Sequence, residues 1–198
     1  MEMLLVKHVR ATLVFLVIYW SIVSPPVRAQ TGPKVNQDSL VQTHFDAEVK
    51  DYLKIHKKAQ AGLSVQKTTD SAETMSQRQH LLADNIRAAR PDAKQGDLFT
   101  PEIRKVFMHL IATSLQGPEA SKIRASLRHA EPVKALTLRV NQAYPDSVPL
   151  QSTPPSMLMN LPDLPKELDY RIVGRTLVLR DVAANLIVDY LPNAIPAS

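Results

Sequence analysis

Gly174 and Arg175 constrain this chain more than any other pair of residues. They separate Leu168 to Val173 from Thr176 to Asp181, and a glycine-first pair between two such runs suits the two-residue type II′ hairpin turn. A turn that short sets the pairing by counting outward. Val173 faces Thr176, Ile172 faces Leu177, Tyr170 faces Leu179 and Asp169 faces Arg180. Leu168, Tyr170, Ile172, Leu177 and Leu179 then share one face. Asp169, Arg171, Thr176 and Arg180 share the other with Val173 and Val178, the pattern of a sheet buried on one side and wetted on the other.

A second turn over Val182 to Asn185 returns the chain as Leu186 to Leu191, and three strands hold together where two rarely do. With Asp181 opposite Leu186, an unbroken register puts Val188 beside Leu179 and Tyr190 beside Leu177. Asp189 falls on the polar face, two strands from Arg171. Asp169, Arg171, Arg180 and Asp189 are therefore the candidate binding residues. Their plainer reading is an exposed cross-strand set, each pair contributing roughly 0.2 to 1 kcal/mol.

Helices precede this meander. Asp38 is placed to cap a helix whose apolar stripe is Val41, Phe45, Val49, Tyr52 and Ala59, ending near Gly62. His56 lies on that stripe and His44 beside it, but a spacing of twelve does not bring two ligands onto one helical face. Both are read as helix residues, not metal ligands. Met75, Leu82, Ile86 and Ala89 mark a second helix, stopped at Arg90-Pro91. Thr100-Pro101-Glu102 supplies an N-cap, a proline at the first helical position and an early acid. Ile103, Val106, Phe107, Leu110, Ile111 and Leu115 then form a core-facing stripe that leaves His109 outward. Gly117-Pro118 ends this helix and opens a fourth, with Ala120, Ile123, Leu127 and Ala130 inward and Lys122, Arg124 and Arg128 outward.

Alternation of Leu136, Leu138 and Val140 predicts a strand over 135–141, available as a fourth strand of the sheet. Between it and the meander, Pro145, Pro149, Pro154, Pro155, Pro162 and Pro165 exclude a central strand and favour an extended connector, with one helical turn around Met157 to Leu161. Pro162-Asp163-Leu164-Pro165 with Lys166 is the nearest approach to a proline-rich partner motif. The expected fold class is α+β: about four N-terminal helices, then a small antiparallel sheet of three to four strands ending in the C-terminal β-meander.

The N-terminus has another character. Lys7, His8 and Arg10 precede the apolar run Ala11 to Val23, then come Ser24-Pro25-Pro26 and Val27-Arg28-Ala29. That is the order of a secretory signal peptide, with cleavage expected after Ala29. The apolar run is shorter than the ~20 residues of a spanning helix, so an uncleaved anchor is the lesser alternative. The expected organisation is a signal over 1–29, a leader over 30–37 and one domain over 38–198, helical over 38–131, connected over 144–166 and closed by the meander over 168–191. No membrane span is expected once the signal is removed, and the expected location is periplasmic or secreted.

Composition narrows the chemistry. The 198 residues hold no cysteine, which excludes disulfides, thiolate nucleophiles and Cys-type metal sites. The net charge is +5, and setting aside Lys7, Arg10, Arg28 and Glu2 leaves 21 basic and 18 acidic side chains. That balance argues against a dedicated nucleic-acid binder. From Arg78 to Lys134 there are ten basic and six acidic residues, a mildly basic stretch suited to anionic envelope polymer or simply to water.

Three blocks carry a resemblance: Lys94 to Glu102, Arg139-Val140-Asn141 with Tyr144-Pro145, and Leu168 through Pro196. Together they resemble a family of exported bacterial proteins of uncharacterised function. The resemblance implies export and an intact domain, and brings no activity, cofactor or catalytic residue.

The functional expectation is a non-catalytic exported binding or interaction domain with an envelope protein or ligand as partner. Its support is that no Gly-rich phosphate loop, HExxH, GxSxG or metal-spaced His group occurs. No catalytic residue, metal or cofactor is assigned. One alternative is an envelope hydrolase using Asp181 and Asp189 with Asn185 nearby, although the unbroken register points the two acids to opposite faces. Another is an accessory protein contacting anionic polymer through Lys122, Arg124 and Arg128.

Overall fold

The computed structural model describes residues 37–63, 71–128, 137–145 and 153–196, all within one compact unit, Val35–Ser198. The expected signal peptide, its cleavage site and most of the leader lie outside the described residues. Five helices come first: α1 (Gln37–Ala61), α2 (Ala72–Ala89), α3 (Pro101–Ser114), α4 (Ala120–Arg128) and the single turn α5 (Pro155–Leu158). Three strands follow, β1 (Leu168–Val173), β2 (Thr176–Asp181) and β3 (Leu186–Leu191), in an antiparallel sheet of order β1-β2-β3. The chain is thus α+β, with helices and strands segregated along its length.

The helices cover one face of the sheet. Phe45, Val49 and Tyr52 from α1, Leu82 and Ile86 from α2, and Ile103, Phe107 and Ile111 from α3 share a core with Leu168, Tyr170, Ile172, Leu177 and Leu179. At its centre Phe107 stands edge-on to Phe45, Phe99 and Tyr170, with ring centroids 4.9, 5.1 and 6.0 Å away. Such pairs add about 0.5 to 1.5 kcal/mol each beyond the area they bury. Helix α3 starts as expected: the Thr100 side chain accepts from the Ile103 amide at 3.5 Å, with Pro101 in the first turn. Helix α1 is already under way at Gln37, so Asp38 lies inside it rather than at its cap. On α2, Leu82, Ala83 and Ile86 are the buried residues, whereas Met75 and Ala89, expected inward, are exposed.

Hairpin β1-β2 has the register counted from the turn, including Val173 opposite Thr176 and Asp169 opposite Arg180. Gly174 takes φ +59°, as the first position of a type II′ turn demands. A Cβ there would meet no atom within 4 Å, so the constraint is backbone conformation alone. Gly174→Val is therefore expected to lower the unfolding free energy by about 1 to 2 kcal/mol, the cost of a β-carbon in the left-handed region. Urea unfolding checks this, and an unchanged midpoint would place the hairpin's constraint elsewhere.

The second hairpin departs from the sequence reading. Asp181 pairs with Leu186 as expected, but a bulge between Leu179 and Arg180 shifts the register, so Leu179 faces Asp189, Val178 faces Tyr190 and Leu177 faces Leu191. Val188 is the extra residue. A bulge puts two residues of one strand opposite one of its partner and so reverses the facing of everything beyond it. Asp189 and Leu191 thereby turn toward the helices, and Tyr190 turns away from them. Counting outward from a turn cannot reveal this, because the extra residue lies in mid-strand.

The expected strand over 135–141 is absent over its described part, residues 137–141. The chain turns at Asn141, φ +63°, and meets β3 slightly later, through a bridge between Ala143 and Leu186. Asn141 and Tyr144 donate their amides to Ile187 and Asn185, and Ile187 donates to Gln142. These contacts cover the edge of β3 without a fourth strand.

Candidate functional site

Two polar layers flank the sheet, and the helix-facing one is sealed. Asp181, at the end of β2, is fully buried at 0 % exposure. Its Oδ2 accepts from the Tyr52 hydroxyl at 2.7 Å and pairs with His56 Nδ1 at 2.6 Å, while Oδ1 accepts from the Ala184 amide at 2.9 Å. Tyr52 and His56 are four residues apart on α1 and so lie one above the other on its buried face. The hydrogen bond to Asp181 holds the His56 pKa above its ordinary value, against the effect of burial, with Glu167 adding in the same direction. Burial, with Asp181 alongside, pushes the Tyr52 phenol well up.

Arg90, at the C-terminal end of α2, lies 5.3 Å over the Tyr52 ring and donates through both terminal nitrogens to the Val188 carbonyl at 3.3 Å. Its guanidinium thus serves the bulge residue directly. Asp189, also 0 % exposed, accepts from the backbone amides of Gly96, Leu98 and Phe99 at 2.8 to 3.2 Å and from its neighbour Tyr190 at 2.7 Å. The bulge therefore builds an anchor for the loop that leads into α3. Asp189 does not join the other three candidate binding residues, and its place is structural.

The outer layer brings Asp169, Arg171 and Arg180 together. Arg180 places Nε and Nη2 on the two Asp169 oxygens at 3.1 and 2.8 Å, and Nη1 on Asn185 Oδ1 at 3.1 Å. Arg171 reaches Asp169 Oδ2 with Nε and Nη2 at 2.9 and 2.6 Å. Burial alone would raise the Asp169 pKa, but the hydrogen bonds from Arg180 and Arg171 outweigh it and hold the carboxyl below its ordinary value. This face is not wetted as alternation implies. Tyr144 and Leu138 pack over Val173, Val178 and Ile187, and Arg180 is only 7 % exposed. Tyr144 rests its ring 5.4 Å from the Arg180 guanidinium, and its buried hydroxyl has no hydrogen-bond partner among the described residues.

Beside this cluster lies a groove of about 380 Å³, bounded by Thr153, Leu158, Pro162, Asp163 and Leu164 on one wall and by Leu168 to Arg171 of β1 on the other. Thr153 Oγ1 donates to the Tyr170 carbonyl and the Tyr170 hydroxyl donates to the Pro162 carbonyl, at 2.9 and 3.1 Å. The connector is thus hydrogen-bonded to the strand twice, both times through Tyr170. Met157 anchors α5 in the core, while Leu158, at the groove, and the next residue, Met159, stay exposed, Met159 by 86 %.

The alternative sites are laid out differently. Asp181 and Asp189 lie on the same face, contrary to the unbroken register, but both are sealed from solvent. Asn185 belongs to the opposite face through Arg180 and the Tyr144 carbonyl. On α4, Lys122 pairs with Glu119 at 2.9 Å, Arg124 is exposed, and the Arg128 side chain lies outside the described residues. His109 is exposed, and His44 sits 3.3 Å from Glu48 on the surface of α1. Among the described residues no group of three or more His, Cys, Asp or Glu is placed to hold a metal ion, and no helix is long and apolar enough to cross a membrane.

Sequence reasoning missed Tyr52, His56 and Arg90 as one polar unit and Tyr144 as the cover of the outer face. A histidine on an otherwise apolar helical stripe was the available signal for the first. Its partner, 125 residues away, carried none. No family model, curated protein or solved structure matches the chain.

Proposed function

We propose that this is a non-catalytic binding domain, exported through its N-terminal segment, whose ligand seats in the groove between the 153–164 segment and β1. The observation that carries the reading is the composition of that groove: Leu158, Pro162, Leu164 and Leu168 are apolar, while Asp163, Asp169 and Arg171 bring charge to the same depression. Pockets of a few hundred cubic ångströms that combine an apolar lining with a few fixed polar groups are the usual seats of ligands. Arg171 is fixed because Asp169 holds it, and Asp169 is fixed because Arg180 grips both its oxygens. The acids that a hydrolytic reading would use lie instead in sealed structural bonds, which favours binding over catalysis.

The test is site-directed photo-crosslinking in the native host. With the photoreactive residue at position 158, on the rim, a discrete adduct is expected, and Arg171→Glu should weaken it. At position 105, on the exposed side of α3, no such adduct is expected. Equal labelling from both positions would sink the groove as the seat. Arg180 is unsuited to charge reversal, since it is buried and a carboxylate in its place would face Asp169.

A further inference from the structure

Helix α1 turns two different faces to the core and to water. Phe45, Val49, Tyr52, His56 and Ala59 are buried along one side. At 3.6 residues per turn, the opposite side of its C-terminal half carries Lys50, Lys54, Lys57 and Lys58, which fall within an arc of about 100°. All four are exposed, and between positions 50 and 58 no other residue lies in that arc. Toward the N-terminus the same arc continues through Ser39, Leu40, Thr43 and Ala47, all exposed and uncharged, with Leu40 exposed by 57 %. None of these residues lines the groove, so this is a separate surface.

The lysine row is poorly compensated. Asp51, at the edge of the arc, pairs with Lys54 at 2.6 Å, while Lys50, Lys57 and Lys58 form no ion pair among the described residues. Lys54 stands three or four residues from each of the other three, where like charges on a helix repel and cost it stability. The helix dipole accounts for Lys58, which lies in the last turn, where a cation is favoured. Lys50 and Lys54 stand further back, beyond that effect. A nearby field of negative charge would relieve the repulsion.

The residue types say which kind of field. An ammonium is a compact, hydrated point charge that responds to potential, whereas a guanidinium reads the geometry of particular oxygens. Four lysines and no arginine therefore suit a fluid anionic surface better than an oxyanion of fixed shape. Lysine stems can lie along apolar surface with their charges held in water, and Leu40 adds an exposed apolar side chain to the same line. A dissolved polyanion would leave Leu40 unused, while the boundary between headgroups and acyl chains would take it up.

We propose that the outward face of α1 adsorbs to an anionic lipid surface, with Lys50, Lys54, Lys57 and Lys58 among the headgroups and Leu40 at the boundary with the acyl chains. The attachment is peripheral, reversible and governed by salt.

The experiment is vesicle co-sedimentation of the compact unit Val35–Ser198. The vesicles are phosphatidylglycerol and phosphatidylcholine in equal parts, or phosphatidylcholine alone. Binding to the anionic vesicles is expected, and little to the neutral ones. Replacing the four lysines together by glutamine should weaken it about tenfold or more, since each lysine near such a surface adds to the attraction. Replacing them by arginine should retain it. The four side chains are exposed and only one ion pair is lost, so the fold is kept, which circular dichroism checks. Lys122→Gln with Arg124→Gln, on α4, should leave binding unchanged. Raising salt from about 0.1 to about 1 M, where the screening length falls from about 10 to about 3 Å, should release the protein. Wild-type binding by the glutamine variant would overturn the proposal, as would equal binding to both kinds of vesicle or retention at high salt. An equal loss from the α4 variant would reduce the effect to net charge and overturn it too. Capture of linear polyphosphate without vesicle binding would give the row to a dissolved polyanion instead.

Discussion

Asp189→Ala is expected to lower the unfolding free energy by about 3 to 5 kcal/mol, a large part of the 5 to 15 kcal/mol that holds a typical domain together. The carboxylate is fully buried and accepts from three amides of the loop before α3, at Gly96, Leu98 and Phe99. Alanine leaves those donors facing a cavity. A buried donor left without a partner costs roughly 1 to 3 kcal/mol, and Leu98 and Phe99 are themselves buried core residues that cannot turn to water. Because Phe99 stacks 5.9 Å from Phe45 and packs on Phe107, loosening the loop also disturbs the centre of the core. Asp189→Asn keeps an acceptor oxygen but sets an amide nitrogen among donors, so about half the loss is expected from the mean worth of such bonds. The check is the urea midpoint of both variants. A loss below about 1 kcal/mol for alanine, the usual range of a surface change, would mean that the loop is held by its apolar residues alone.

The bulge that makes this anchor also marks how far the sequence was legible. The β1-β2 register followed from Gly174 because a two-residue turn leaves no freedom in counting. The start of α3 followed from Thr100 and Pro101, whose preferences act within one helical turn. Both signals are local. The bulge at Val188 is set by tertiary partners, with Arg90 supplying a donor to its carbonyl from 98 residues away and the 96–99 loop supplying amides to the next side chain. An alternating run therefore read as a straight strand, and Asp189 was placed on the wrong face.

The candidate site divides in the same way. Asp169, Arg171 and Arg180 were found together because they lie within one hairpin whose register was readable. Their cover was not found, since Tyr144 reaches them through a turn at Asn141 that replaces the expected strand. The groove needs the connector to fold back along β1. Prolines indicate that such a segment is extended, and they say nothing about which edge it will follow.

Asp181→Ala is expected to cost about as much as the loss of Asp189, roughly 3 to 5 kcal/mol, the range for breaking a buried pair by removing one partner. His56 and the Tyr52 hydroxyl would both lose their acceptor, and the Ala184 amide in the β2-β3 turn would lose its own. The effect joins distant parts of the chain, because Asp181 is the point at which α1 is hydrogen-bonded to the sheet. The pair also predicts a pH dependence of definite sign. The folded state holds the His56 pKa above its ordinary 6.5, chiefly through the Asp181 hydrogen bond. A histidine raised in this way contributes its full stabilisation below the unfolded value and loses it as pH rises through the folded value. The stability difference between the wild type and His56→Gln should therefore be largest below the ordinary histidine value of 6.5 and shrink as pH rises through the folded value and the histidine gives up its proton. Asp169 acts in the opposite direction: its lowered pKa gives stability that is present above the ordinary 3.8 and lost on acidification, and it is common to both proteins. Chemical unfolding of both proteins across that range decides the matter. A difference that stays constant, or grows as pH rises, would show that His56 is neutral in the fold and meets Asp181 without a charge.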